Sequence, residues 1–137
     1  MMISTKGRYA LRAMLDLAEN GQDRFLPLRE IIEREEIPQK YLEGIMAQLA
    51  HGGLVESVHG KGGGYRLAAP PEKITLGDVL RAAEGSLAPT ACTDPDAAPC
   101  ERAAACRARP VWKKLDRLIN DFADGITLAA LLQPEEG

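Results

Sequence analysis

The chain has 137 residues, enough for one compact domain with an appendage and too few for two full domains. It is 45% apolar but only 4% aromatic, so aliphatic side chains and alanine must fill any core. A formal net charge of −3 excludes a uniformly basic coat, yet residues 1–70 balance nine Lys/Arg against nine Asp/Glu, which leaves room for a basic face.

Ser4 or Thr5 caps a predicted first helix that runs to about Glu19, with Tyr9, Ala10, Ala13, Met14, Leu17 and Ala18 at helical spacing on its inner face. Arg12 and Asp16 interrupt this apolar stretch and no small-residue cleavage site follows, so it does not read as a secretory signal. No later run is long and apolar enough to span a bilayer, and the expected location is the cytoplasm. Leu28, Ile31 and Ile32 mark a second helix ending near Glu36. Pro38 opens a third, whose inner face is Leu42, Ile45, Met46 and Leu49 and which stops at Gly52-Gly53.

Two short helices joined at Glu36-Ile37-Pro38 suggest a helix-turn-helix. Leu54 to Val58 has strand composition, His59 to Gly64 is a glycine-rich tip with His59 and Lys61, and Tyr65-Arg66-Leu67 returns. Helix-turn-helix followed by hairpin is the order of a winged helix. After Pro70-Pro71, Thr75 and Asp78 form a capping-box-like start to a helix that ends at Gly85. Residues 86–104 read as a loop. A long helix follows from about Cys106 or Pro110. On it Trp112, Leu115, Ile119, Phe122 and Ile126 are spaced 3, 4, 3 and 4 apart, a narrow seam suited to a second copy of the chain or to packing within one copy. Leu128, Leu131 and Leu132 make a short last helix.

The three cysteines, Cys92, Cys100 and Cys106, fall within one loop. An odd number of cysteines in a reducing compartment points to a metal, a cluster or a reactive thiol rather than to a disulfide framework. Thiolates are soft ligands for iron and zinc, but the tight cysteine pairs of structural zinc sites are absent. The only histidines are His51 and His59, and no nucleophile-elbow or phosphate-loop spacing occurs. An enzyme is therefore not expected.

Ser4-Thr-Lys-Gly-Arg-Tyr-Ala10, Gln39-Lys-Tyr-Leu-Glu43, Gly53-Leu-Val55 and Gly60-Lys-Gly-Gly-Gly-Tyr65 together resemble the IscR family of bacterial winged helix-turn-helix regulators, which also includes NsrR- and CymR-type proteins. The resemblance covers about residues 1–132. It implies a mostly helical fold with a β-hairpin wing, a DNA-binding domain over residues 1–85, a cysteine loop over 86–108, and a dimerisation helix with a short terminal helix over 109–133. It implies a homodimer bound to a pseudo-palindromic operator, with Pro38, Gln39, Lys40, Tyr41 and Glu43 in the major groove, His59 and Lys61 on the wing, and Lys6 and Arg8 against phosphates. The seam over residues 112–126 would join the two copies.

The resemblance further implies an iron–sulfur cluster on Cys92, Cys100 and Cys106, 2Fe-2S preferred over 4Fe-4S. A histidine that supplies the fourth ligand in IscR proteins falls on Arg109, and an aspartate used by NsrR proteins falls on Arg8; a guanidinium is a poor ligand. Asp94, Asp96 or Glu101, a group of the partner subunit, or an open iron in a 4Fe-4S cluster remain as alternatives. So does a cluster-free repressor governed by thiol oxidation or by a partner protein.

Overall fold

The structure is a computed structural model that describes residues 3–134. Helix α1 (Thr5–Asn20) starts at Ser4, whose hydroxyl accepts from the Gly7 amide, and stops where the Gly21 amide returns to the Leu17 carbonyl. Its apolar positions bury Ala10, Ala13, Met14, Leu17 and Ala18, as the periodicity predicts. On α1 pack α2 (Leu28–Glu35), α3 (Gln39–His51), the returning hairpin strand, α4 (Leu76–Glu84) and α6 (Leu128–Leu131).

The α2–α3 turn is Glu36-Ile37-Pro38, as the sequence suggests. Glu36 takes a left-handed conformation (φ 53°), and its amide closes α2 on the Ile32 carbonyl at 2.8 Å. Pro38 then stands just outside α3 as its N-cap residue, so the first helical residue is Gln39. Ile37, between them, is buried.

Strands β1 (Val55–Val58) and β2 (Gly64–Leu67) pair antiparallel, with Val55 opposite Leu67 and Val58 opposite Gly64. Leu26 adds a rung on the other edge of β2, exchanging both backbone hydrogen bonds with Tyr65 at 2.7 and 2.8 Å. A side chain at Gly64 would strike the Leu26 carbonyl, so this rung requires a glycine there.

Thr75 and Asp78 form a complete capping box at the start of α4, each side chain bonded to the other's backbone amide. The chain end returns to this point: the Leu76 amide donates to Ile126 and the Leu128 amide to Ile74. Residues 86–108 carry only a short 3-10 turn at 91–93 before α5 (Arg109–Asp124). Ile126 lies after the end of α5, which stops at Gly125.

The main core joins α1–α4, the wing and α6. A second, small core of Leu80, Leu87 and Ala123 holds α5 to α4, with Ile3, Leu76 and Ile119 around it. No helix among the described residues is long and apolar enough to cross a membrane.

Candidate nucleic-acid interface and cysteine loop

Because Leu42, Ile45, Met46 and Leu49 fix the buried side of α3, its opening turns must turn Gln39, Lys40, Tyr41 and Glu43 outward, and all four are exposed. Gln39 Nε2 donates to Glu43 Oε1 at 2.9 Å, one turn along. The Tyr41 ring is 60% exposed and rests edge-on against Tyr9 of α1, with ring centroids 6.3 Å apart. Arg12 lies over the other partner of this pair, 5.4 Å from the Tyr9 centroid. Tyr41 is thus braced from below yet open to solvent.

Lys6 and Arg8 are exposed at the start of α1, where Arg8 also donates to Thr5 Oγ1 at 3.0 Å. Lys6 reaches the same shallow notch as Lys40 and Tyr41, so the starts of α1 and α3 share one surface. His59 and Lys61 stand exposed in the hairpin turn.

A buried ion pair ties α2 to α1. Asp16, buried on α1, accepts from Arg34 through Nε at 3.0 Å and Nη2 at 2.8 Å. The same guanidinium is held charged most strongly by that carboxylate. Glu35, beside this pair, has its carboxyl pushed above the usual range by burial and by the neighbouring Asp16. Glu30 is pulled down to about 2, chiefly by its hydrogen bonds from Arg24. Sequence reading missed Asp16 and Arg34, because an acid on a helix's apolar side is visible only as an irregularity until its partner 18 residues away is placed.

The C-terminal part of helix α4 bonds both to α5 and to the start of α1. Its Arg81 grips Asp124 of α5 with both Nη atoms, at 2.7 and 3.0 Å, and also reaches Asn120. The pairing lowers the Asp124 carboxyl below its ordinary value and raises Arg81. One turn on, Glu84 Oε1 accepts from the amides of Ser4 and Gly7, at 3.1 and 3.0 Å, and from the Ser4 hydroxyl. A carboxylate from α4 therefore caps the helix whose first turn carries Lys6 and Arg8.

The three cysteines are unpaired thiols. Cys92 and Cys106 are half-buried, and Cys100 is exposed. Cys92 lies in a hollow against the polar side of α5, beside Lys113, Asp116, Arg117 and Asn120, with its Sγ 3.1 Å from Thr90 Oγ1. Among the described residues no group of three His, Cys, Asp or Glu side chains lies close enough together to hold a metal ion. The donor chemistry suits iron and sulfide. Arg109 adds a buried Nε without a hydrogen-bond partner three residues after Cys106. The placement does not fit a cluster as it stands, since ligation would require residues 86–108 to draw together. Asp94, Asp96 and Glu101 do not complete a site in this conformation.

The outer side of α5 differs from the seam its spacing predicts. Val111, Trp112, Leu115, Leu118 and Phe122 are exposed, Leu118 and Phe122 by 68% and 65%. Ile119 instead turns toward Leu80 and Leu87. The apolar stripe left open is thus 111, 115, 118 and 122, with Trp112 at its side.

Known proteins match nearly the whole chain. The family model described as Rrf2, iron-dependent transcriptional regulator, matches residues 3–134. An HTH-type transcriptional regulator of Neisseria meningitidis serogroup A is 41% identical over 133 residues, covering 97% of this chain and 88% of that protein. The regulator IscR of Aliivibrio salmonicida is 40% identical over 136 residues, covering 99% and 80%. Among solved structures, T. potens IscR matches with TM-score 0.76 and 36% identity over 100% of this chain and 94% of the other. CymR, the global cysteine regulator of B. subtilis, matches with TM-score 0.76 and 33% identity over 96% and 95%. These relatives are regulators rather than enzymes, and their fold is the one built above from α1–α3 and the wing. The chain belongs to the Rrf2 family of transcriptional regulators.

Proposed function

We propose that the chain acts as a homodimer that reads a pseudo-palindromic operator with the opening turns of α3, and that its affinity responds to the state of the cysteine loop. The observation that carries the DNA reading is the surface shared by α1 and α3, where Lys6, Lys40 and the braced, exposed Tyr41 stand together. Gln39 suits adenine, Lys40 guanine or a phosphate, and Glu43 a cytosine amine. Arg8 and the wing residues His59 and Lys61 serve the backbone or the minor groove. The half-sites lie about one helical turn apart. The stripe on α5 supports the dimer.

The regulatory ligand in this reading is an iron–sulfur cluster held by Cys92, Cys100 and Cys106, with 2Fe-2S preferred over 4Fe-4S. When bound, the cluster supplies a centre sensitive to oxygen, nitric oxide or iron supply. The chain's own part is to gather the loop. Cys92 already rests on α5, which Arg81 ties to α4, and Glu84 ties α4 to the start of α1. A change in residues 86–108 thereby reaches the DNA-reading face through polar contacts. Coupling of this kind is typically about 1–3 kcal/mol, or 5–150-fold in affinity. A second reading, a cluster-free repressor switched by thiol oxidation or by a partner, is favoured by the unpaired thiols and by their separation in this conformation.

Two measurements test these readings. In a gel-shift titration on a duplex enriched by the protein from a randomised pool, Tyr41→Ala and Lys40→Ala weaken binding with the dimer intact. Unchanged affinity removes α3 as the reader. Protein purified without oxygen shows structured visible absorption that Cys92→Ala abolishes. Protein that stays colourless after treatment with iron and sulfide retains the regulator but leaves thiol chemistry or a partner as its switch.

A further inference from the structure

Three helices of the described chain contain a glycine in their interior or first turn, and two of these glycines have a packing reason. At Gly7 a Cβ would meet the Glu84 carboxylate, and at Gly77 it would meet Asp124 and Arg81. Gly44, on α3, has none: a Cβ there meets no described atom within 4 Å. A helix-interior glycine weakens its helix relative to alanine. Among the described residues, no packing contact at Gly44 offsets that loss.

The space left open has a largely apolar floor, with Ile45 and Tyr41 in its lining, and carries polar groups from Lys6, Lys40 and Gln48. Gly44 lies one turn after Lys40 and one turn before Gln48, so the three share a stripe of α3. Lys6 of α1 and Tyr41 complete the notch. Gln48, which lines the notch, has its Oε1 buried without a hydrogen-bond partner. The same amide also carries an NH2, which can donate to an anion. Glu43, next to Gly44 in sequence, has its Oε1 hydrogen-bonded to Gln39.

We propose that the Gly44 notch seats one backbone phosphate of the bound duplex, between the ammonium groups of Lys6 and Lys40, with the Gln48 amide as a further donor. The inference rests on the reading of DNA by α3 and adds a position that no charged-residue census finds, since it works by absence of a side chain. It fits the course of a reading helix, which meets bases with its opening turns and leaves the groove toward the backbone farther along.

The test is Gly44→Ala, with Gly44→Glu as a second variant that places a carboxylate in the seat and keeps a good helix former. Gln39→Ala is the control for base reading. Two probes are used, a duplex enriched from a randomised pool and an unselected mixed-sequence duplex. Gly44→Ala is expected to raise the melting temperature by roughly 2–5 °C. It is expected to weaken binding to both probes by roughly ten-fold and to flatten the plot of log K against log salt by about 0.9. Gly44→Glu weakens both further. If both Gly44 variants bind like the parent while Gln39→Ala loses the enriched duplex, the phosphate seat is wrong and reading by α3 stands. A loss confined to the enriched duplex, with the salt slope unchanged, also overturns it, because the notch then meets a base. If neither Gly44→Glu nor Gln39→Ala alters binding to any duplex, reading by α3 fails and the seat with it.

Discussion

Leu118 offers a sharp test of the α5 stripe, because it does nothing visible for the single chain. Its side chain is 68% exposed, so truncation to alanine should change the stability of an isolated subunit by no more than about 0.5 kcal/mol. In a dimer joined through this face the same side chain is buried. Burying a leucine contributes about 1.5–3 kcal/mol, and two-fold symmetry counts it twice. Leu118→Ala should therefore weaken the dimer by about 3–5 kcal/mol, or roughly a hundred- to a few-thousand-fold in the dissociation constant. Sedimentation equilibrium over a dilution series reads this directly, and circular dichroism of the dissociated variant checks that the subunit remains helical. Phe122→Ala, 65% exposed, should behave the same way. Ile119→Ala should instead lower subunit stability, since Ile119 packs against the Leu80 and Leu87 core. A Leu118→Ala protein with the parent's dissociation constant would refute the assignment of this face to the dimer.

Arg34→Met should cost about 3–5 kcal/mol in urea unfolding, because it leaves the buried Asp16 carboxylate without its partner, whereas replacing both residues with leucine should recover most of the loss. Equal midpoints for the single and double variants would show that the pair is not the source. Glu30 and Glu35 should shape the acid limb in opposite directions. The folded Glu30 carboxyl sits near 2 against about 4.3 unfolded, so its contribution is complete above the unfolded value and fades as pH falls toward 2; Glu30→Gln should flatten that part of a melting-temperature profile. Glu35 is raised, so it favours the fold at pH below its unfolded value and loses that advantage as pH rises through the folded one; Glu35→Gln should gain on the parent at neutral pH, and a loss there would contradict the burial argument. Gly77→Ala should melt lower, by about 1–3 kcal/mol of stability, because the added methyl displaces the Asp124–Arg81 grip.

Much of this architecture is legible in the sequence because it is local. The apolar period of α1, the Thr75–Asp78 box and the glycine-rich wing each declare themselves within a few residues. The exposed turn of α3 is legible too, since Leu42, Ile45 and Leu49 fix which side faces in. What escapes is whatever joins distant positions. Ser4 and Glu84 are 80 apart in sequence, and Arg81 and Asp124 are 43 apart. No periodicity encodes such pairs. The α5 seam escapes in part for another reason: Leu118 and Ile119 are equally apolar, and only the position of α4 decides which of them is covered. Gly44 is silent for a third reason, since an exposed helix glycine reads as a weak helix until the room around it is known.

The main core runs from Ala10 to Ala83 and resumes only at Leu128. None of its buried members belongs to the stretch that carries the cysteines and α5. The part of the chain that would receive a signal is thus separable from the part that holds the wing and α3 in shape. Changes of cysteine spacing, loop length or the residue at position 109 leave that main core untouched and reach the reading half through α4 and its contacts to α5 and α1. The stretch between Glu84 and Thr127 is thus where a different stimulus would be installed without rebuilding the main core.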